Sequence, residues 1–296
     1  MLLETLPPLA LTLGICLIVL SFGAKTSLSA AEFLFRRPRL LLRTVVAIFV
    51  VVPAFVMALS SLLPIAPQMP QIMFALIALA ASPIAPVLPA MQMRLGARGE
   101  LVIGLLVAVS LISIVATPLL LGLASTAFGI DAAISPLATA RTVGMSVALP
   151  LAIGIGLRLV AVEMADVISR YAYMLGFSLL LIGLLVSVAF TWRDIIRLVG
   201  NGVIAAVVAT VVVGLVAGHL IAEQEDTHGA LALAAVMRHP GVAIAMGVAG
   251  FSQQQANVTA AILLFLLVNM AAIAPYAQWA KRRAKLPRDR FSLSRF

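Results

Sequence analysis

Charge is scarce in this chain. Only 10% of its 296 residues are Asp, Glu, Lys or Arg, where a soluble domain carries about a quarter. That shortage, with 63% hydrophobic residues and a mean hydropathy of +1.16, excludes a soluble globular fold. Cysteine is nearly absent: Cys16 stands alone, so no intramolecular disulfide framework exists. Histidine occurs three times, at His219, His228 and His239, without metal-ligand spacing to acids. No nucleophile motif or phosphate loop appears, so neither an enzyme centre nor a metal or cofactor is expected. Aromatics make up 6% and do not interleave with basic residues, so the net charge of +9 is no nucleic-acid footprint. The start "MLLETLPP" carries an acid where a signal peptide is basic, and no cleavable signal is expected.

What the chain has is long apolar runs, each about 20 residues and broken by short polar stretches, the length that spans a bilayer as a helix. The expectation is an all-α polytopic membrane protein of about nine spans. They fall at 7–23, 40–63, 70–94, 100–124, 135–159, 171–191, 196–222, 228–250 and 256–280. Basic residues orient them. With the N-terminus outside, the inner segments hold Lys25, Arg36, Arg37, Arg39, Arg43, Arg94, Arg98, Arg158 and Arg170. A basic tail over 281–296 adds Lys281, Arg282, Arg283, Lys285, Arg288, Arg290 and Arg295, while the outer loops offer only Arg193 and Arg197. The positive-inside rule therefore puts the N-terminus outside and the C-terminus in the cytoplasm, in a plasma or inner membrane. One inner loop, "AEQEDTH", lacks Lys and Arg, a small cost because acids weigh little in the rule. The tail reads as an anchor on anionic lipid.

Two spans are interrupted. Span 3 carries Pro83, Pro86 and Pro89; span 8 carries Pro240 and Gly241 inside "VMRHPGVAIAMG" (236–247). Each is third in a group of four, which gives one transporter domain: repeat one over 7–124, an extra helix at 135–159 and an inverted repeat two over 171–280. Matched breaks in the two halves point to a transporter binding site, because freed backbone groups must be buried in protein or line a cavity. A plain proline kink is the bland alternative at either break alone.

The run "LFRRPRLLLRTVVAIFVVVPAFVMALSSLL" (34–63) resembles the bile acid:sodium symporter family in its order of basic-Pro-basic, apolar run and mid-helix proline. "ASPIAPVLPAMQMRLGARGE" (81–100) is similar to that family's first crossover helix, "VMRHPGVAIA" to its second crossover motif, and "LVNMAA" (267–272) to a helix with a retained Asn. The resemblance implies a panel domain and a core domain, two broken helices crossing at mid-membrane, and alternating access. It also exposes departures. Ala234 and Arg238 stand where the family has a sodium-binding acid and Gln, and His239 and Pro240 stand where Asn and Ser follow. Ala90 and Met91 replace a Ser-Asn pair, and Ile48 replaces a Gln. Ser110 and Asn269 match polar positions. Sodium coupling by the family's usual sites is not expected.

The residues expected at the substrate site are Arg238, His239, Ser82, Gln92, Ser110 and Asn269. A charge at mid-membrane costs from about 3 to over 10 kcal/mol and faces a cavity or a partner. Two readings of Arg238 stay open. It snorkels or binds carbonyls released by Pro240, or it stands where relatives hold sodium and offers planar donors to a carboxylate or sulfonate. His239 has two readings as well, a proton-coupling group or a neutral hydrogen-bonding ring. Ser and Asn also serve as helix–helix glue, Arg141 reads as a snorkelling interfacial residue, and Met91, Met93 and Met246 as apolar filling. The expected function is secondary active transport of a small or amphipathic organic anion. A non-transporting, regulatory membrane protein on the same fold and a proton or ion exchanger using His239 are the alternatives. Partners are the organic anion and the lipid bilayer; the sequence is silent on oligomeric state.

Overall fold

The structure is a computed structural model and describes residues 2–62, 69–129, 135–200, 202–223 and 225–283; of the basic tail, 284–296 lies outside them. The described residues form helices: α1 (Leu2–Ala24), α2 (Leu28–Glu32), α3 (Pro38–Leu62), α4 (Pro70–Ala81), α5 (Leu88–Arg94) and α6 (Gly99–Phe128). They continue as α7 (Pro136–Val160), α8 (Val162–Leu198), α9 (Val203–Leu220), α10 (Glu225–Val236), α11 (Pro240–Gly250) and α12 (Gln255–Arg283). Six of these, α3, α6, α7, α8, α9 and α12, are long and apolar enough to cross a membrane, and Leu9–Ala24, α4, α10 and α11 contribute shorter apolar segments. Among the described residues there is no strand beyond one isolated antiparallel bridge, Ile84 with Arg238.

Two boundaries differ from the sequence expectation. Helix α8 begins at Val162, not near 171, because the charged stretch there is helical; Arg158 reaches across to Asp166 at 2.5 Å. It ends at Leu198, and the next helix starts only at Val203, after Gly200 and Gly202 turn the chain with φ of 100° and 78°, a region open to glycine.

Burial follows the pattern of apolar residues. In α4, ten of twelve residues are buried, Ile72 through Ala81, and in α10 the run Ala230–Val236 is buried on every side. Helices apolar all round belong inside a bundle, so the segments leading into both interruptions are wrapped by protein. By contrast α8 exposes Tyr171, Leu185 and Phe190, the apolar surface of a lipid-facing helix.

Helix α1 lies between α7 and α8, and α12 packs on α4, α8, α9 and α11. Small residues let α1 approach its neighbours closely. A Cβ on Gly14 would fall 2.7 Å from the Gly176 carbonyl oxygen, and one on Gly154 would strike the backbone of Leu20, Gly23 and Ala24. Gly156, two residues on, faces open space. Gly154→Ala is expected to lower stability in detergent by about 1–3 kcal/mol through overpacking, while Gly156→Ala leaves it unchanged or raises it slightly. Thermal unfolding of the two variants side by side checks this; equal melting temperatures would refute the close packing.

Candidate functional site

The interruptions at 82–87 and 237–239 meet in the interior. His239 N–H donates to the Pro83 carbonyl at 2.8 Å, and Ala85 N–H donates to the Met237 carbonyl at 3.0 Å. The Ser82 hydroxyl donates to the Leu79 carbonyl at 2.7 Å, and its oxygen stands 3.2 Å from the same His239 N–H. Each break thus satisfies part of the other's backbone, as unwound chain away from water requires.

Arg238 is 2% exposed and its guanidinium is bound to carbonyls. Nη2 donates to Ile48 at 2.7 Å and Nη1 to Ser82 at 3.3 Å. The Ile48 carbonyl is available for a local reason. Helix α3 widens to a π-turn over Val46–Val51, where the Val52 N–H bonds Ala47, five residues back. The next donor in that register, for Ile48, would come from Pro53, which has no N–H. Among the described residues Arg238 has no carboxylate partner, and its Nε is buried without a hydrogen bond.

His239, 1% exposed, caps α11: its Nδ1 accepts from the Val242 N–H at 3.1 Å. An accepting Nδ1 assigns the ring proton to Nε2, and that nitrogen is buried and unpartnered. Consecutive residues of an extended link point to opposite sides, and Arg238 and His239 do so. Arg238 borders a small void with Val52, Thr210 and Phe265. His239 lines a cavity of about 250 Å³ between α1, α7 and α11, whose other polar groups are Thr12, Cys16, Thr142 and Ser146.

The remaining expected residues spread around this centre. Asn269 donates to the Val236 carbonyl at 3.4 Å, the group that Pro240 leaves without its helical donor. Gln92 donates to the Ala230 carbonyl at 2.7 Å and so ties α5 to α10 about two turns from the break. Ser110 is buried in α6 with its hydroxyl unpartnered. Among the described residues, buried polar side-chain atoms without a partner occur at Gln92, Ser110, Arg238, His239, Asn269 and Ser169, and five of these six are expected site residues. Pro83 and Pro86 lie in the first link, Pro89 in the first turn of α5, and Pro240 opens α11. A Cβ on Gly241 would lie 2.8 Å from Ile15, so its smallness lets α1 pass.

Three features escaped the sequence reading. Thr117, one face-repeat beyond Ser110, donates to the Ala81 carbonyl at 2.7 Å and anchors the end of α4. The hydroxyl and thiol pairs Thr12/Cys16 and Thr142/Ser146 are each four apart, a spacing that puts both members on one helix face. The Ile48 contribution is a backbone oxygen under an apolar name.

An all-helical chain with this many membrane-length apolar segments is an integral multi-pass membrane protein. Residues 12–199 match the family described as the sodium bile acid symporter family. That is well over half of the 296 residues, and the chain belongs to that family, whose members are transporters and not enzymes. The matched span holds the first break; the second break lies beyond it. No curated protein matches the chain.

Thr117→Val is expected to cost about 1 kcal/mol by leaving the buried Ala81 carbonyl without a donor. Thr126→Val, at an exposed site on the same helix whose hydroxyl serves local carbonyls at 2.9 and 3.2 Å, is expected to be neutral. Detergent unfolding curves separate the two, and a neutral Thr117→Val would remove that anchor from the account.

Proposed function

We propose that this chain is a secondary transporter of a small or amphipathic organic anion, working by alternating access without the family's usual sodium sites. Nine passes follow if the six long helices are joined by Leu9–Ala24 and by the two interrupted pairs α4–α5 and α10–α11. The two pairs would be the crossover helices of an inverted repeat, with α1, α7 and α8 as the panel moving against the remaining core. The basic-residue bias supports an outside N-terminus and a cytoplasmic C-terminus.

One observation carries the reading: a buried guanidinium, without a carboxylate partner among the described residues, is bound to the Ile48 and Ser82 carbonyls beside the paired breaks. Those carbonyls solvate the positive charge as oxygens would solvate a metal cation. A sodium ion about 4 Å away would be repelled by about 4 kcal/mol at an effective dielectric of 20, near a thousandfold in affinity. The same fixed charge favours an anion in the neighbouring cavity, because fields act strongly in a dry, low-dielectric interior. His239 Nε2–H and the first turn of α11 would receive the anionic group, with Thr12, Cys16, Thr142 and Ser146 as the polar lining of the cavity; Ser82, Gln92 and Asn269 hold the broken helices around it, and Ser110 lies buried in α6.

The test is uptake of a panel of labelled organic anions into proteoliposomes, with and without sodium or pH gradients, for wild type and Arg238→Gln. Uptake indifferent to sodium is expected, with a loss of at least about tenfold in the variant, equivalent to 1.4 kcal/mol or more. Strong sodium drive would overturn the loss of the sodium sites, normal transport by Arg238→Gln the role of the charge, and no uptake of any anion the transport reading.

A further inference from the structure

The other two histidines meet at a different place, where α9 ends, α10 begins and α12 runs past. His219 Nδ1 lies 2.9 Å from the Tyr276 hydroxyl, that hydroxyl lies 3.3 Å from the His228 carbonyl, and His228 Nδ1 lies 2.9 Å from the His219 carbonyl. The loop fixes the proton on one of the two rings. A carbonyl only accepts, so His228 carries its proton on Nδ1. Tyr276 has one proton: given to the His228 carbonyl at 3.3 Å it leaves the phenol oxygen to accept from His219 Nδ1–H, and given to His219 Nδ1 at 2.9 Å it puts that ring's proton on Nε2. His228 Nε2 is therefore left with a lone pair, and both side chains are half-buried.

This is the reverse of His239. A proton arriving there must land on Nδ1, which accepts the Val242 N–H, so protonation would break the cap of α11. At His228 a proton lands on Nε2 and every existing bond survives. The two rings stand 4.3 Å apart at 38°, with Trp279 at 5.6 Å from His219, an arrangement that places an imidazolium beside aromatic faces. A second proton would set like charges 4.3 Å apart. Of the charged groups on the adjoining elements, Arg283 lies over the Trp279 ring at 4.8 Å and acts on His219, while Glu223 is held by Arg43 at 2.5 Å. Two added positive charges would oppose each other as well as Arg283, so the pair has room for one at most.

We propose that His219 and His228 form a proton-binding site that takes a single proton as a pair, and that the transporter senses pH on that side of the membrane through them and not through His239. The functional half rests on the transport reading above, which would place the site on the cytoplasmic side. Its seat suits the role: His228 lies in the first turn of α10, and the far end of the same helix leads straight into Met237, Arg238 and the paired breaks.

Nitrogen-15 histidine spectra of the full chain in nanodiscs, recorded from about pH 8.5 to 5, test the site without any variant. An Nδ1–H ring at His228 and an Nε2–H ring at His239 are expected at high pH, with the pair gaining one proton on acidification and His239 none. A proton taken up at His239, or a pair that stays neutral to about pH 5, would overturn the proposal. His219→Gln and His228→Gln assign the signals. In proteoliposomes, uptake at about pH 6 and pH 8 is expected to differ by about fivefold in wild type and by less than about twofold in either variant. Variants that keep the wild-type ratio, or a wild type with a flat profile, would overturn the regulatory half. If no anion is transported at all, the proposed function fails, while the spectra still decide whether the proton site exists.

Discussion

Backbone that leaves a helix inside a membrane protein has no water to bond, and this constraint organises the centre of the molecule. Six carbonyls at or beside the two interruptions meet a donor from another element. Ala81 is met by Thr117, Ser82 and Ile48 by Arg238, Pro83 by the His239 amide, Val236 by Asn269, and Met237 by the Ala85 amide. Six groups from α3, α4, α10 and the links are tied through α6, α12 and each other. Removing any one leaves a buried acceptor unpaired, which costs about 1–3 kcal/mol each.

Arg238 is the one charged member of that set, and its placement decides what chemistry remains. A mid-membrane guanidinium is tolerated when dipoles take over the work of water, and two carbonyls do so here. The charge itself is not cancelled, since no carboxylate among the described residues pairs with it. A bound carbonyl fixes the direction of the side chain, but the long-range field is left to act on whatever enters the cavity beyond His239. The extended link separates the two tasks: one residue holds the breaks together, and the next presents a donor to the cavity.

Much of this was legible in the sequence, for identifiable reasons. Hydropathy places α3, α6, α7 and α12 within a few residues, because span length is set by the bilayer. Prolines mark both interruptions, because a ring without an N–H cannot continue a helix ladder. The unpartnered atoms at Gln92, Ser110, Arg238, His239 and Asn269 fall on residues chosen for their polarity in apolar surroundings. What stayed hidden depends on three-dimensional register. That Arg238 would bond Ile48 requires knowing that α3 widens to a π-turn just before Pro53, which no side-chain pattern announces. The start of α8 was misplaced because charge reads as a loop, although Arg158 and Asp166 neutralise each other locally.

The three histidines show how little residue type alone determines. His239 sits in a helix cap, and the bond that orders it occupies the nitrogen a proton would need. His228 is ordered as firmly, but through the nitrogen that already bears a proton, and its opposite nitrogen takes no part in that bond. Buried near the breaks, a ring that could change charge would compete with the fixed charge of Arg238; at the helix ends, it can change charge without disturbing the carbonyl network. The division follows from one structural choice. A cation tethered at the centre leaves no place beside it for a second, so a response to a mobile cation has to be built elsewhere, and α10 is the element that connects the two places.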